Sequence, residues 1–447
     1  MLCTTANMLM PHISLSVNWS RIMHATSATP RRVAILGAGP IGLEAAHALI
    51  ATGFEVDVYE RGQVGQSVQD WGHVHLFSPW SLNMSPLGRT ALTDQGIALP
   101  PETDYSTGHE YVRQYLAPLA QHPRLHGRIH LHTKVIQVGR HRVLKAESIS
   151  PEDRQAQPFR LLLSEADAQE RIAYADIVVD TTGCYTHPNH LGDGGIPAPG
   201  ERHAAEAGRI WYQLPDMAGP HRERFAGRHT VVVGTGYSAI TTISNLLTLS
   251  QVSPGTCVTW CTRKLTAPYH RLDDDPLPER IRLVELGNRI AAGAHADTVT
   301  YLPGVSVDRV IANDQGPMAL ELLHVSEPLK VVTGIDEIVA HVGFRPDLSL
   351  YRELLIHQCY ASEGPMQLAA ALLASAGASA DCLAQTSAGP ATLLSPEPDF
   401  FILGAKSYGR GSNFLIKLGL EQIQDVLTLL HAELEVTASS SSGHERL

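Results

Sequence analysis

The sequence predicts an α/β fold built on two parallel sheets, with the second unit inserted into the first. Three observations predict it. Val33–Leu49 (VAILGAGPIGLEAAHAL) and Thr230–Leu247 (TVVVGTGYSAITTISNLL) each run from a β-branched apolar stretch, through a glycine turn, into a helical pattern. Strand-like runs without alternation, ADIVVDTTG and EIVAHVGFRPD, then lie on either side of the second copy. Finally, DFFILGAK and a long amphipathic helix return the chain to the first unit.

The glycine turns read Gly-x-Gly-x-x-Gly and Gly-x-Gly-x-x-Ala. In that order a strand turns tightly into a helix whose N-terminus faces a pyrophosphate. Gly37 and Gly234 make the turns, and Gly39 and Gly236 let backbone approach phosphate. Gly42 and Ala239 let helix pack on strand. Pro40, Tyr237 and Ser238 fill the remaining turn positions. These are two Rossmann-like dinucleotide-binding domains.

The charge after each second strand separates the two ligands. GFEVDVYE ends on Glu60, followed by Arg61; an acid there accepts from a ribose hydroxyl and repels a 2'-phosphate. CVTWCTRK ends on Arg263 and Lys264, which suit a 2'-phosphate, although a solvated loop pair would read the same way. The first site therefore reads as FAD or NAD and the second as NADPH.

Residues 1–30 read as a disordered leader and 31–190 as the first part of the first dinucleotide-binding domain. The NADPH-binding domain is expected at 191–334 and the rest of the first domain at 335–435, with 436–447 a disordered tail. GQSVQDWGHVHLFSPWSLNMSP lacks periodicity and reads as a long functional loop. A helix is expected over Gly108–Gln121 with Thr107 as N-cap and a stop or kink at Pro118. RIHLHTKVIQVGR, FRLLLSE and ADIVVDTTG are expected to form a β-meander. On the last helix, Leu415, Leu418, Ile423, Val426, Leu427 and Leu430 mark the apolar side.

Composition bounds the function. With 44% hydrophobic and 18% charged residues the chain reads as a globular, cytoplasmic protein. A formal net charge of −11 argues against nucleic acid or an anionic membrane as partner, and no apolar run is long enough to span a bilayer. The six cysteines include no Cys-x-x-Cys, and Cys257 and Cys261 read as small hydrophobes. His73, His75, His187, His190 and His203 give no ligand spacing, so no metal is expected. Asp273–Asp275 reads as a surface loop or as a contact for a substrate amine.

These motifs resemble the flavoprotein monooxygenases and their disulfide-reductase cousins, over roughly residues 31 to 435. The two fingerprints come in the family's order, DTTGCYTHPN is similar to its first hinge, and AHVGFRPD is similar to its second. ILGAKSYGRGSNFL is similar to the segment that carries the flavin ribityl chain. The resemblance implies that Gly183, Gly343, Phe344, Gly404, Ser412, Asn413 and Phe414 join the cofactor contacts, with Arg61, Trp71 and Val135 beside them. It also implies a flavin-facing loop at Trp71–Trp80, where Ser78 loosely matches the Asn of Leu-x-Thr-Asn-x-Pro. Ser78 and His75 are thus the catalytic candidates, and core packing is the competing reading of Phe77–Trp80. Three departures stand out. Gly404-Ala405-Lys406 replaces Gly-Asp, His341-Val342 replaces the usual Thr, and the Phe-x-Gly-x-x-x-His motif of Baeyer–Villiger and classical flavin-containing monooxygenases is missing.

The expected activity is NADPH-driven reduction of FAD and transfer of one oxygen atom from O2 to a small substrate, at nitrogen or sulfur. An NAD(P)H oxidoreductase with an external acceptor is the enzyme alternative, and an FAD-holding redox sensor or scaffold the other. A homodimer is left open.

Overall fold

The structure is a computed structural model that describes residues 30–266, 268–272, 275–313, 316–375 and 385–442. Residues 1–29 of the expected leader and 443–447 of the expected tail lie outside the described residues, as do Asp273 and Asp274, whereas 436–442, expected to be disordered, continue the helix Ile416–Ser442.

Two five-stranded parallel sheets form the frame. The first has the order β16-β7-β1-β2-β3, with β1 Arg32–Leu36, β2 Glu55–Tyr59, β3 Ile129–His130, β7 Ile177–Asp180 and β16 Phe400–Ile402. The second has the order β11-β10-β9-β15-β8, with β8 Ile210–Trp211, β9 His229–Val233, β10 Cys257–Cys261, β11 Val299–Leu302 and β15 Glu337–Ala340. Two three-stranded antiparallel sheets sit beside them. One is β4 Lys134–Arg140, β5 Phe159–Ser164 and β6 Glu170–Ala175; the other is β12 Val305–Ile311, β13 Met318–His324 and β14 Lys330–Ile335. The second parallel sheet falls between β7 and β16 in the chain, so the first domain is discontinuous.

Burial explains why these segments became strands. β7 and β15 are buried at every position, as parallel strands covered on both faces are. Helix Pro40–Ala51 packs between the first sheet and the C-terminal helix Ile416–Ser442, which turns Leu418, Ile423, Val426 and Leu430 inward. Helix Tyr237–Val252 covers the second sheet through Ala239, Ile240, Ile243 and Leu246.

The expectations fail at three places. RIHLHTKVIQVGR is not one strand: Ile129–His130 joins the parallel sheet, His132 turns the chain at φ 53°, and Lys134–Arg140 starts the antiparallel one. The third meander strand is Glu170–Ala175 rather than ADIVVDTTG, which lies in the parallel sheet between β1 and β16. The boundary expected at 334 falls too early. Glu337–Ala340 pairs with β9 and β8 and closes the second sheet, so the chain leaves the second domain after Ala340.

The helix at Gly108 begins on a capping box, in which Thr107 and Glu110 satisfy each other's backbone N–H. It runs to Ala120 through a wide turn at Val112–Leu116, just before Pro118, which has no N–H to give.

The small antiparallel sheet is bolted to the first domain by buried charge. Arg140 Nε and Arg154 NH2 each lie 2.7 Å from the Glu397 carboxylate, and all three side chains are fully buried. Leu355 N donates to the same carboxylate at 2.8 Å, and the Arg140 guanidinium lies 3.6 Å over the Phe159 ring.

Candidate active site

The strand order reverses between β1 and β7 in one sheet and between β9 and β15 in the other. In open α/β sheets the crevice at such a reversal is where ligands bind, and each fingerprint lies there. The two turns repeat one geometry. Gly37 N donates to Tyr59 O at 2.8 Å, and Gly234 N donates to Cys261 O at 3.1 Å. Both first glycines have positive φ, 101° and 128°, which side chains rarely adopt. A Cβ on Gly42 would overlap Gly37 O, and one on Gly234 would overlap His341 O. Gly39 and Gly236, by contrast, have nothing within 4 Å of a Cβ position. The backbone is thus open where a phosphate would approach, and closed where helix meets strand. Pro40 and Tyr237 begin the two helices.

Glu60 is buried at the end of β2, and its carboxylate accepts from Ala38 N and Gly62 N, both at 2.8 Å. It therefore holds the fingerprint turn and presents its remaining lone pairs beside it. Arg61 beside it is exposed, and Val135 on β4 is half-buried. In the second domain Arg263 and Lys264 are exposed directly after β10. Thr262 before them is buried, and its hydroxyl meets Tyr301 Oη at 3.1 Å. Trp260 Nε1 donates to Gly234 O at 2.8 Å and Tyr269 Oη to Gly236 O at 3.3 Å, so aromatic side chains brace the second turn.

The Trp71–Trp80 loop touches both domains. Trp80 lies in the first core, while Phe77 packs edge-on against Tyr237 of the second fingerprint with ring centroids 5.2 Å apart. Trp71 packs against Gly108. His75 is exposed and pairs its backbone with Thr107. Ser78 is buried, and its hydroxyl donates to Asn83 Oδ1 at 2.8 Å. Asn83 Nδ2 donates back to Ser78 O and Pro79 O, and Tyr111 Oη donates to Asn83 O. Ser78 and Asn83 thus lock the loop together, whereas His75 stands apart from both. Sequence reasoning passed over Asn83, although Asn83-Met84-Ser85-Pro86 keeps the Asn-then-Pro order of the motif that was sought at Ser78.

The two crossovers between domains are joined to each other. Asn189 N donates to Gly343 O at 2.9 Å and Arg345 N to His187 O at 2.8 Å. The Tyr185 and Phe344 rings lie 4.8 Å apart, with Gly183 and Gly343 just before them in the chain. Arg410 of the C-terminal loop donates to Asn189 Oδ1 at 3.0 Å. In that loop Gly404 is buried, Ser412 and Asn413 are exposed, and Phe414 packs on Tyr408.

Two substituted positions are paired in the interior. His341 Nε2 meets Thr242 Oγ1 at 2.7 Å, and burial pulls its pKa down to about 3, so the imidazole is neutral. Lys406 pairs with Asp180. Burial pushes the Cys184 and Cys261 thiols up to about 12, which keeps them protonated and poor nucleophiles. Among the described residues no three His, Cys, Asp or Glu side chains converge as a metal site would require. Asp275 is held by Arg280 at 2.6 Å with both side chains buried.

Two interleaved parallel sheets, each with a glycine turn at its reversal point, define the fold of the two-dinucleotide-domain flavoproteins. Residues 34–155 match the family described as "Pyridine nucleotide-disulphide oxidoreductase". Over 242 residues the chain is also similar, at 26% identity, to a flavin-containing monooxygenase, FMO GS-OX-like 2 of Arabidopsis thaliana. That match covers 48% of this chain and 47% of the relative, so it spans about half the relative's length. Among solved structures, a bacillithiol disulfide reductase of Bacillus cereus superposes with a TM-score of 0.65 at 17% identity, over 90% of this chain and 99% of that one. The ornithine N-hydroxylase of Kutzneria sp. 744 superposes with 0.61 at 13% identity, again over 90% and 99%. A flavin-containing monooxygenase of Stenotrophomonas maltophilia gives 0.53 at 16% identity, over 91% and 99%. No described helix is long and apolar enough to cross a membrane.

Proposed function

We propose that the protein is an FAD- and NADPH-dependent monooxygenase that transfers one oxygen atom from O2 to nitrogen or sulfur of a small substrate. One observation carries the reading. Two open glycine turns, one flanked by Glu60 and one by Arg263 and Lys264, are linked by a loop from the first domain whose Phe77 lies on the second fingerprint. When bound, the nicotinamide supplies hydride and the flavin supplies oxygen activation. The chain's own residues bind, orient and exclude water. Gly39 and Gly236 admit the two pyrophosphates to helix N-termini, and Glu60 accepts from a ribose hydroxyl. Gly183, Gly343, Phe344, Gly404, Ser412, Asn413 and Phe414 are assigned to the flavin side. Trp71, Phe77 and Trp80 provide apolar bulk that keeps water from the reacting atoms. The test is incubation with NADPH, O2 and a library of amines, thiols and thioethers, with mass spectrometry for one added oxygen. NADPH consumption that yields no oxygenated product from any of them would remove the reading.

A second reading, reduction of an external acceptor such as a quinone, is favoured by the Ser78 hydroxyl, which donates into the loop at Asn83 rather than toward the cleft. Rapid electron transfer to a quinone by an oxygen-inert enzyme would install it.

Coenzyme choice gives an independent prediction. Charge-assisted hydrogen bonds contribute about 1.5–3 kcal/mol, so Arg263→Ala should raise the NADPH KM by roughly 10- to 150-fold and leave that for NADH nearly unchanged. Equal losses for both coenzymes would show the 2'-phosphate to be bound elsewhere.

A further inference from the structure

The first reversal point carries a charge pair that the proposed reaction does not use. Lys406 lies in the turn Gly404–Tyr408, directly after β16. Its ammonium is 2.6 Å from Asp180 Oδ2 and 3.0 Å from Thr182 Oγ1, and its side chain is only 1% exposed. The Tyr351 ring lies 5.1 Å from the same nitrogen. Asp180 Oδ1 accepts from both Thr182 N and Thr182 Oγ1. Asp180 ends β7 in register with Leu36 of β1, and the next residue after Leu36 is the fingerprint's Gly37. Thr181 Oγ1 donates to Leu36 O at 2.8 Å. On the other side, Gln422 of the C-terminal helix accepts from Gly404 N and donates to Ser407 Oγ. The pair is therefore held rigidly one strand away from the first glycine turn.

As a strut alone, such a pair is a poor choice. Removing two charges from water costs several kcal/mol per ion, and apolar side chains of similar volume often hold two elements together as well or better. What apolar groups cannot supply is a field. At the end of a sheet, where water is scarce, a fixed charge acts on its neighbours with little screening.

We propose that the Lys406–Asp180 pair sets the reduction potential of the flavin bound at the first fingerprint. The inference rests on the FAD reading above. Oxidised flavin that gains a hydride, two electrons and one proton, also gains one negative charge. A nearby cation stabilises that charge and a nearby anion opposes it. The two halves of the pair act with opposite signs, so the wild-type potential reflects the difference between their two fields at the flavin. Asp347 and the protonated Cys184 thiol are the other titratable groups that sense Lys406.

The test compares the wild-type holoprotein with Lys406→Met, Asp180→Asn and the double variant. Flavin affinity is read from fluorescence on release, and midpoint potential from equilibrium titration against reference dyes. Lys406→Met should shift the midpoint to more negative values and Asp180→Asn to more positive ones. Each shift should correspond to at least tenfold in the ratio of reduced to oxidised flavin, about 30 mV for two electrons. The double variant should return toward wild type, and Lys406→Arg, which keeps the charge, should stay close to it. Single variants that retain flavin but shift in the same direction, or not at all, would overturn the inference and leave the pair as a strut. If Lys406→Met does not fold, the positive shift of Asp180→Asn decides alone. A wild-type protein that cannot be loaded with FAD would remove the underlying reading itself, an outcome distinct from loaded variants with unmoved potentials.

Discussion

Replacing Glu397 by alanine should destabilise the first domain by about 3–5 kcal/mol, the usual cost of removing one partner from a buried ion pair. The residue pairs with both Arg140 and Arg154 and also accepts from Leu355 N, so its loss leaves two buried guanidinium groups without their carboxylate and one backbone donor without its acceptor. The proper control is Glu321→Ala, which breaks the pair with half-exposed Arg309 and should cost less than about 1 kcal/mol. Urea unfolding followed by tryptophan fluorescence measures both. If the Glu397 variant unfolds at the same urea concentration as the control, the buried cluster does not hold the antiparallel sheet to its domain. Because the cluster lies at the strand ends away from the fingerprints, flavin loading of the surviving folded fraction should be normal.

Gly234→Val should abolish coenzyme use while the flavin site stays filled. The turn has φ 128° and a Cβ would overlap the His341 carbonyl, so backbone must move at the proposed phosphate site. Overpacking and strain of this kind cost about 1–3 kcal/mol. Lost phosphate contacts add to that, so NADPH affinity should fall by at least about a hundredfold. The mirror variant Gly42→Val drives a side chain into Gly37 O and should lose flavin instead. Flavin absorbance at purification and NADPH binding by calorimetry separate the two effects. Loss of both ligands from each variant would mean that the turns do not act as independent sites.

Much of the fold was legible because local signals and tertiary demands agree. At Val33–Leu49 and Thr230–Leu247 the apolar run, the turn glycines and the helical pattern each point to one geometry, and both segments adopt it. Glu170–Ala175 was missed because its exposed Glu170, Arg171 and Tyr174 dilute the apolar signal on an edge strand. Glu337–Ala340 reads as a strand, but its sheet is not legible, since four buried residues do not reveal which neighbours bury them. The site was legible to the extent that it is local. Glu60 is reached from the fingerprint by counting along one βαβ unit, and Arg263 likewise. The Lys406–Asp180 contact joins residues 226 apart, so Lys406 could be seen only as a departure and not as half of a pair. Ser78 stands out because it bears a hydroxyl, yet the loop's hydrogen bonds converge on Asn83, which the linear chain marks only by the Asn-then-Pro order of Asn83–Pro86.

The backbone bonds between the two crossovers have a mechanical consequence. Independent tethers would let the second domain twist, slide and tilt separately. Here the strands that leave and re-enter the first domain are stitched at His187–Asn189 and Gly343–Arg345, with Arg410 clipped onto the same seam. Two strands tied in this way would bend together, and a swing about the seam would carry Tyr237 toward or away from Phe77. A single angular coordinate would then open the coenzyme side and uncover the flavin side together, in the manner of a door whose latch is also its seal.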